Sequence, residues 1–137
     1  MSYYFATVLD ATMEDAIARV TAALTERGFG VLTRIDVDKT LKKKIGADFR
    51  PYVILGACNP RYAHQALQVE DKIGTMLPCN VIVQEIAPGR VEVAAVDPVA
   101  SMAAIDNPKL AGIAGEVRDL LKRTIDSLAA APAEAGA

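Results

Sequence analysis

Tryptophan is absent from the chain, histidine occurs once, at His64, and cysteine twice, at Cys58 and Cys79. Aromatic residues make up only 5% of the sequence, and 15 basic against 17 acidic residues leave a formal charge of -2. That balance excludes a dedicated nucleic-acid binder, which needs concentrated Lys and Arg for phosphates and aromatic rings for bases. Two cysteines do not make a disulfide framework, and lying 21 positions apart they fit no zinc-finger or C-x-x-C redox spacing. No stretch reaches the roughly 18 uncharged apolar residues of a membrane span. The start, Met1-Ser2-Tyr3-Tyr4-Phe5, lacks the basic segment of a signal peptide. A cytoplasmic protein with free thiols and no membrane or nucleic-acid partner is the expectation. There is no G-x-S-x-G elbow, Walker loop, G-x-G-x-x-G or H-E-x-x-H, and one histidine leaves little for a Cys-His pair, so a conventional hydrolase or dehydrogenase is not expected.

What is present is apolar residues, 52% of 137, enough to build one core without staples. Residues 1–129 are expected to form one domain, and the Ala-rich end, 130–137, a disordered tail. Tyr3 to Leu9 reads as a strand. Thr12 with Asp15 three positions later has capping-box spacing, and Met13, Ala16, Ile17, Val20 and Leu24 follow at helical intervals until Gly28. Phe29, Val31, Ile35 and Val37 alternate with polar residues as a strand with one wet face would. Asp38 to Gly46 reads as a short helix with Leu41 and Ile45 on its apolar stripe. Its lysines, Lys39, Lys42, Lys43 and Lys44, are read as a solvated face in preference to an anion site.

Tyr52 to Ala57 is continuously apolar, the mark of a strand covered on both faces or lying centrally. Asn59-Pro60 supplies a cap and a first helical residue, predicting a helix that turns Ala63, Ala66 and Leu67 inward. Cys79 to Ile86 and Val91 to Val96 read as strands joined at Pro88-Gly89. From Pro108, Leu110, Ile113, Ala114, Val117, Leu120, Leu121, Ile125 and Leu128 recur at three- and four-residue steps and predict a long helix across the sheet.

Site chemistry concentrates at two Cys-Asn corners, Cys58-Asn59-Pro60 and Pro78-Cys79-Asn80. If the strand ending near Ala57 pairs antiparallel with the one starting near Cys79, both thiols fall at one sheet edge and offer a soft-metal or thiol site. The alternative is that both cysteines pack as small hydrophobes and Asn59 serves as a cap. Asn80, at the start of a strand, needs partners for a donor and an acceptor and is either wired to a neighbouring loop or turned to a ligand. Glu70, Asp71 and Asp97 stand in turns with no partner evident from sequence.

The run Asp36-Val37-Asp38-Lys39-Thr40-Leu41-Lys42-Lys43-Lys44-Ile45-Gly46, followed by Arg50-Pro51-Tyr52, Leu55-Gly56-Ala57-Cys58-Asn59-Pro60 and Leu77-Pro78-Cys79-Asn80-Val81, resembles the bacterial and archaeal domain of unknown function 302 over nearly the whole chain. The resemblance implies an α+β domain of the helix-grip or TATA-binding-protein-like type, an antiparallel sheet backed by helices, with a tendency to dimerise. It carries no established activity. The functional expectation is therefore a homodimeric domain binding a small molecule, metal or haem-like group at Cys58, Asn59, Cys79 and Asn80, with Cys58 and Cys79 as metal ligands. A thiol-dependent enzyme or redox protein, and an interaction module with no ligand, are the alternatives.

Overall fold

The computed structural model describes residues 2–130; the expected tail lies outside them except for its first residue, Ala130. Strands β1 (Tyr4–Asp10), β2 (Gly30–Asp36), β3 (Tyr52–Cys58), β4 (Cys79–Ala87) and β5 (Arg90–Val96) form one antiparallel sheet in the order β1-β5-β4-β3-β2. Helix α1 (Met13–Glu26) carries the chain from one edge of the sheet to the other. The remaining helices are α2 (Val37–Ile45), α3 (Pro60–Val69), α4 (Pro98–Ser101) and α5 (Pro108–Ala130), with a 3-10 turn at Asp71–Met76.

Local chemistry accounts for the boundaries. The Thr12 hydroxyl accepts from the Asp15 N–H at 3.1 Å and caps α1. Gly89, at φ +74°, permits the two-residue turn between β4 and β5. The long predicted helix is present as α5, and Leu110, Ala114, Val117, Leu121, Ile125 and Leu128 are all buried. Of these, Val117, Leu121, Ile125 and Leu128 join Ile17, Val20 and Leu24 of α1 against Val53, Leu55, Ala57, Val81, Val83, Val91 and Val93 of the sheet, while Leu110 packs in a second cluster with Ala66 and Ile73. One face of the sheet is thus covered by helices, and the residues that alternate with these point the other way.

Four expectations differ from the structure. In β2 a register shift between Val31 and Thr33 interrupts the alternation, so Ile35 pairs with Ile54 on the uncovered face while Arg34 pairs with Leu55 on the helical side. There Arg34 meets Glu14 of α1 at 3.0 Å, and this bond holds the Glu14 carboxyl below its ordinary value. Val37 belongs to α2, not to the strand. Helix α2 begins after Asp36 instead of Asp38, whose carboxylate accepts from the Tyr52 N–H at 3.4 Å, and Ile45 is 73% exposed, so its expected apolar stripe reduces to Leu41. In α3 Ala66 is buried but Leu67 faces outward.

Candidate functional site

The Cys-Asn corners fall together because β3 ends where its antiparallel neighbour β4 begins: Ala57 pairs with Cys79 and Gly56 with Asn80. Successive strand residues point to opposite faces, so the step from Cys79 to Asn80 divides the corner in two. Cys79 turns toward the helices and is buried, whereas Asn80 is exposed on the uncovered face.

On the helical side, Cys58, Asn59 and Cys79 line a cavity of about 40 Å³ with Phe29, Tyr62 and Met102. Its walls are almost wholly apolar. Burial first, and the neighbouring Cys58 second, push the Cys79 thiol up to about 11, so it is neutral at pH 7. Asn59 is the residue before α3, but its side chain does not cap the helix. Its Nδ2 donates to the Arg27 carbonyl at 3.3 Å, tying the start of α3 to the turn after α1. A Cβ on Gly28, which sits at φ +86°, would approach that same Nδ2 to 3.2 Å, so a glycine is needed there on two counts.

On the other face the residues stand in cross-strand rows. One runs Val8, Glu92, Gln84, Tyr52; the next Ala6, Ala94, Ile82, Ile54, Ile35; and the third includes Asn80, Gly56 and Thr33. A Cβ on Gly56 would collide with Thr33 Oγ1 and lie 2.7 Å from Pro78 Cγ, so the absent side chain lets both pack beside Asn80. Tyr3, Tyr4, Tyr52, Asn80, Ile82 and Glu92 surround an open bowl of about 420 Å³. A polar chain crosses its far side: Arg50 Nε donates to Gln84 Oε1 at 2.8 Å and Gln84 Nε2 to Glu92 Oε1 at 2.9 Å. The Arg50 guanidinium lies 4.4 Å from the Phe49 ring centre. No hydrogen bond ties the Asn80 side chain to another described residue. A hollow of about 310 Å³, lined by Thr75, Met76, Cys79, Asn80 and Met102, lies at the end of the sheet and borders both compartments.

The structure therefore brings Cys58, Asn59 and Cys79 to one cavity and sets Asn80 on the opposite face. Sequence reasoning missed the bowl and its Arg50-Gln84-Glu92 chain. The signal was present in the unbroken apolar run of β3, which reads as covered on both faces, although helices cover one. It also missed three pairings of turn acids. Asp97 accepts from Arg118 Nε at 3.2 Å and from the Val99 N–H at 3.0 Å, Glu70 accepts from Asn107 Nδ2 at 3.2 Å, and Asp71 pairs with Lys72 at 2.8 Å. His64 is exposed on α3. Among the described residues no three His, Cys, Asp or Glu stand together as a metal set, and no helix is long and apolar enough to cross a membrane.

No curated protein matches the chain. It is similar to the crystal structure of an uncharacterized conserved DUF302 protein from Bacillus stearothermophilus, with a TM-score of 0.84 and 29% identity, covering 92% of this chain and 98% of that one. The family described as domain of unknown function DUF302 matches residues 5–128. By that match and by the shared antiparallel sheet backed by helices, the chain belongs to the DUF302 family.

Proposed function

We propose that this domain is a homodimeric binding protein that holds a small, flat, partly apolar molecule on the uncovered face of its sheet, oriented by Asn80. The observation that carries the reading is the bowl itself. Its volume of about 420 Å³ falls in the range of ligand sites, and its apolar floor at Ile82 and Tyr52 meets few polar groups. Asn80 offers both a donor and an acceptor at one end, and Glu92 a carboxylate at the other. Of the corner expected from sequence, Asn80 is the part that touches the ligand in this reading; Cys58, Asn59 and Cys79 stand behind the sheet.

The dimer reading rests on the two sheet edges. Strand β2 is guarded by its register shift and by Arg34 and Asp36, devices that discourage pairing. Strand β1 has no shift and no basic residue or proline, and Tyr4 and Val8 are exposed along it. A second copy on β1 covers this edge. A thiol enzyme acting through Cys79 is disfavoured, since a neutral buried thiol is a poor nucleophile.

Native mass spectrometry of protein purified from its own source tests both parts. The expected spectrum shows two chains and a retained small molecule that Ile82→Lys expels and Asn80→Ala weakens, with the circular dichroism of both variants unchanged. A monomer with nothing bound, or a ligand indifferent to Ile82→Lys, overturns the reading.

A further inference from the structure

Among the described residues Glu92 is the only charged side chain that lines the bowl, and Tyr3, Tyr4 and Tyr52 supply three phenol rings to the same lining. Tyr52 pairs with Gln84 and Gln84 with Glu92, so the ring and the carboxylate stand on either side of the amide with Cα atoms about 9–11 Å apart. In the next row Ala94, flanked by Ala6 and Ile82, keeps the floor low. The Gln84 amide is fixed from its far end. Arg50 Nε donates to Gln84 Oε1 at 2.8 Å, which leaves Nε2 to donate to Glu92 Oε1 at 2.9 Å. Arg50 is itself held over the Phe49 ring and does not line the bowl. The half-buried carboxylate is therefore aimed by a neutral amide and balanced by no cation: no ion pair among the described residues includes Glu92, or Arg90 two positions along the same strand. Aromatic rings carry negative faces, and an uncompensated carboxylate among them adds the one formal charge, so the bowl attracts positive charge and repels negative.

We propose that the molecule held in the bowl is an organic cation, a flat ring system bearing a charged nitrogen, whose charge seats against the Glu92 carboxylate and whose ring lies against Tyr52. The inference rests on the bowl reading above and adds to it the sign of the ligand's charge and the residue that reads it. Gln84 acts as a positioning residue: by standing between Arg50 and Glu92 it holds the carboxylate in place without neutralising it, and Glu92 Oε2, which has no hydrogen-bond partner among the described residues, is left for the ligand.

Three bicyclic probes of similar shape and different charge test it: the cation N-methylquinolinium, quinoline in its neutral form, and the anion 1-naphthoate, each titrated calorimetrically into the full chain at neutral pH and low salt. The expected order puts N-methylquinolinium about tenfold tighter than quinoline, with 1-naphthoate weakest. Glu92→Gln, which keeps an acceptor for Gln84 and the shape of the wall, brings the cation and quinoline to equal affinity. Tyr52→Leu weakens the cation about two- to fivefold, and Ile82→Lys expels all three probes. Circular dichroism confirms that each variant is folded. Quinoline or 1-naphthoate binding as tightly as the cation, with Ile82→Lys still expelling them, overturns the cation and leaves the bowl. No binding of any probe, or binding indifferent to Ile82→Lys, overturns both. A preference for the cation that survives in Glu92→Gln overturns the assignment to Glu92.

Discussion

Alanine at Gly56 and alanine at Gly30 are the same chemical change on neighbouring strands, and the structure predicts opposite outcomes. At Gly56 the new methyl meets Thr33 Oγ1 and sits 2.7 Å from Pro78 Cγ. The threonine can turn about its Cα–Cβ bond, but a proline ring has no such freedom, so the backbone of β3 or of the 77–79 segment must move. Overpacking of this kind costs about 1–3 kcal/mol. Neither glycine has a positive φ, so alanine also gains about 0.4–1 kcal/mol by narrowing the unfolded ensemble. The net loss at Gly56 is about 1–2 kcal/mol, a fall of roughly 3–10 °C in Tm for a domain of this size. At Gly30 nothing lies within 4 Å of the added methyl, so only the gain remains. Urea unfolding followed by circular dichroism, with both variants at the same protein concentration, measures both. Adding Thr33→Ala to Gly56→Ala restores part of the loss but not the share due to Pro78. If Gly56→Ala and Gly30→Ala agree within about 0.5 kcal/mol, the steric argument is wrong.

Because the Cys79 thiol is pushed from 9.0 up to about 11, the neutral form stabilises the fold, and that contribution is complete below about pH 9 and lost as pH rises through 11. It amounts to about 2–3 kcal/mol, so the stability difference between wild type and Cys79→Ala should shrink over this window, and a constant difference would refute it. Asn107 donates to the Val69 carbonyl at 2.8 Å and accepts from the Lys109 and Leu110 N–H groups, so Asn107→Ala should cost about 2 kcal/mol, half from the lost cap and half from the orphaned carbonyl. Asn107→Asp keeps the acceptor but places a second carboxylate beside Glu70, and calorimetry should find it destabilised as well. Deleting residues 131–137, whose side chains are those of Ala, Pro, Glu and Gly alone, should leave Tm within a degree or two; a fall of many degrees would show that they dock.

Local signals carried the element order: a threonine cap three residues before Asp15, apolar periodicity from Leu110 to Leu128, and Pro88-Gly89 between two β-branched runs each act within a few residues. What was illegible depends on which partners arrive from elsewhere. The shift between Val31 and Thr33 turns Ile35 onto the open face although Phe29, Val31, Ile35 and Val37 keep a two-residue spacing; the only sign of it in the sequence is the break in alternation at Leu32-Thr33. Asn59 looks like a cap from its place before Pro60, yet the carbonyl of Arg27, 32 positions earlier, takes its amide. The two Cys-Asn corners were legible as neighbours through strand pairing, and strand alternation sets Cys79 and Asn80 on opposite faces; what was not legible is which of the two faces the helices cover.

The strand order also has a temporal consequence. Strand β1 is complete after ten residues, but its partner β5 begins at Arg90, and Tyr4 meets Val96. At ribosomal speeds of about 5–20 residues per second, the first strand waits roughly 4–17 s for its place in the sheet. The meander from β2 to β5 assembles from near neighbours in the meantime, leaving only β1 to close the longest loop in the sheet. For that interval Tyr4-Phe5-Ala6-Thr7-Val8-Leu9 is an unpaired, uncharged segment of high strand propensity, and on a crowded polysome the nascent chain's exposure to wrong pairing is concentrated there.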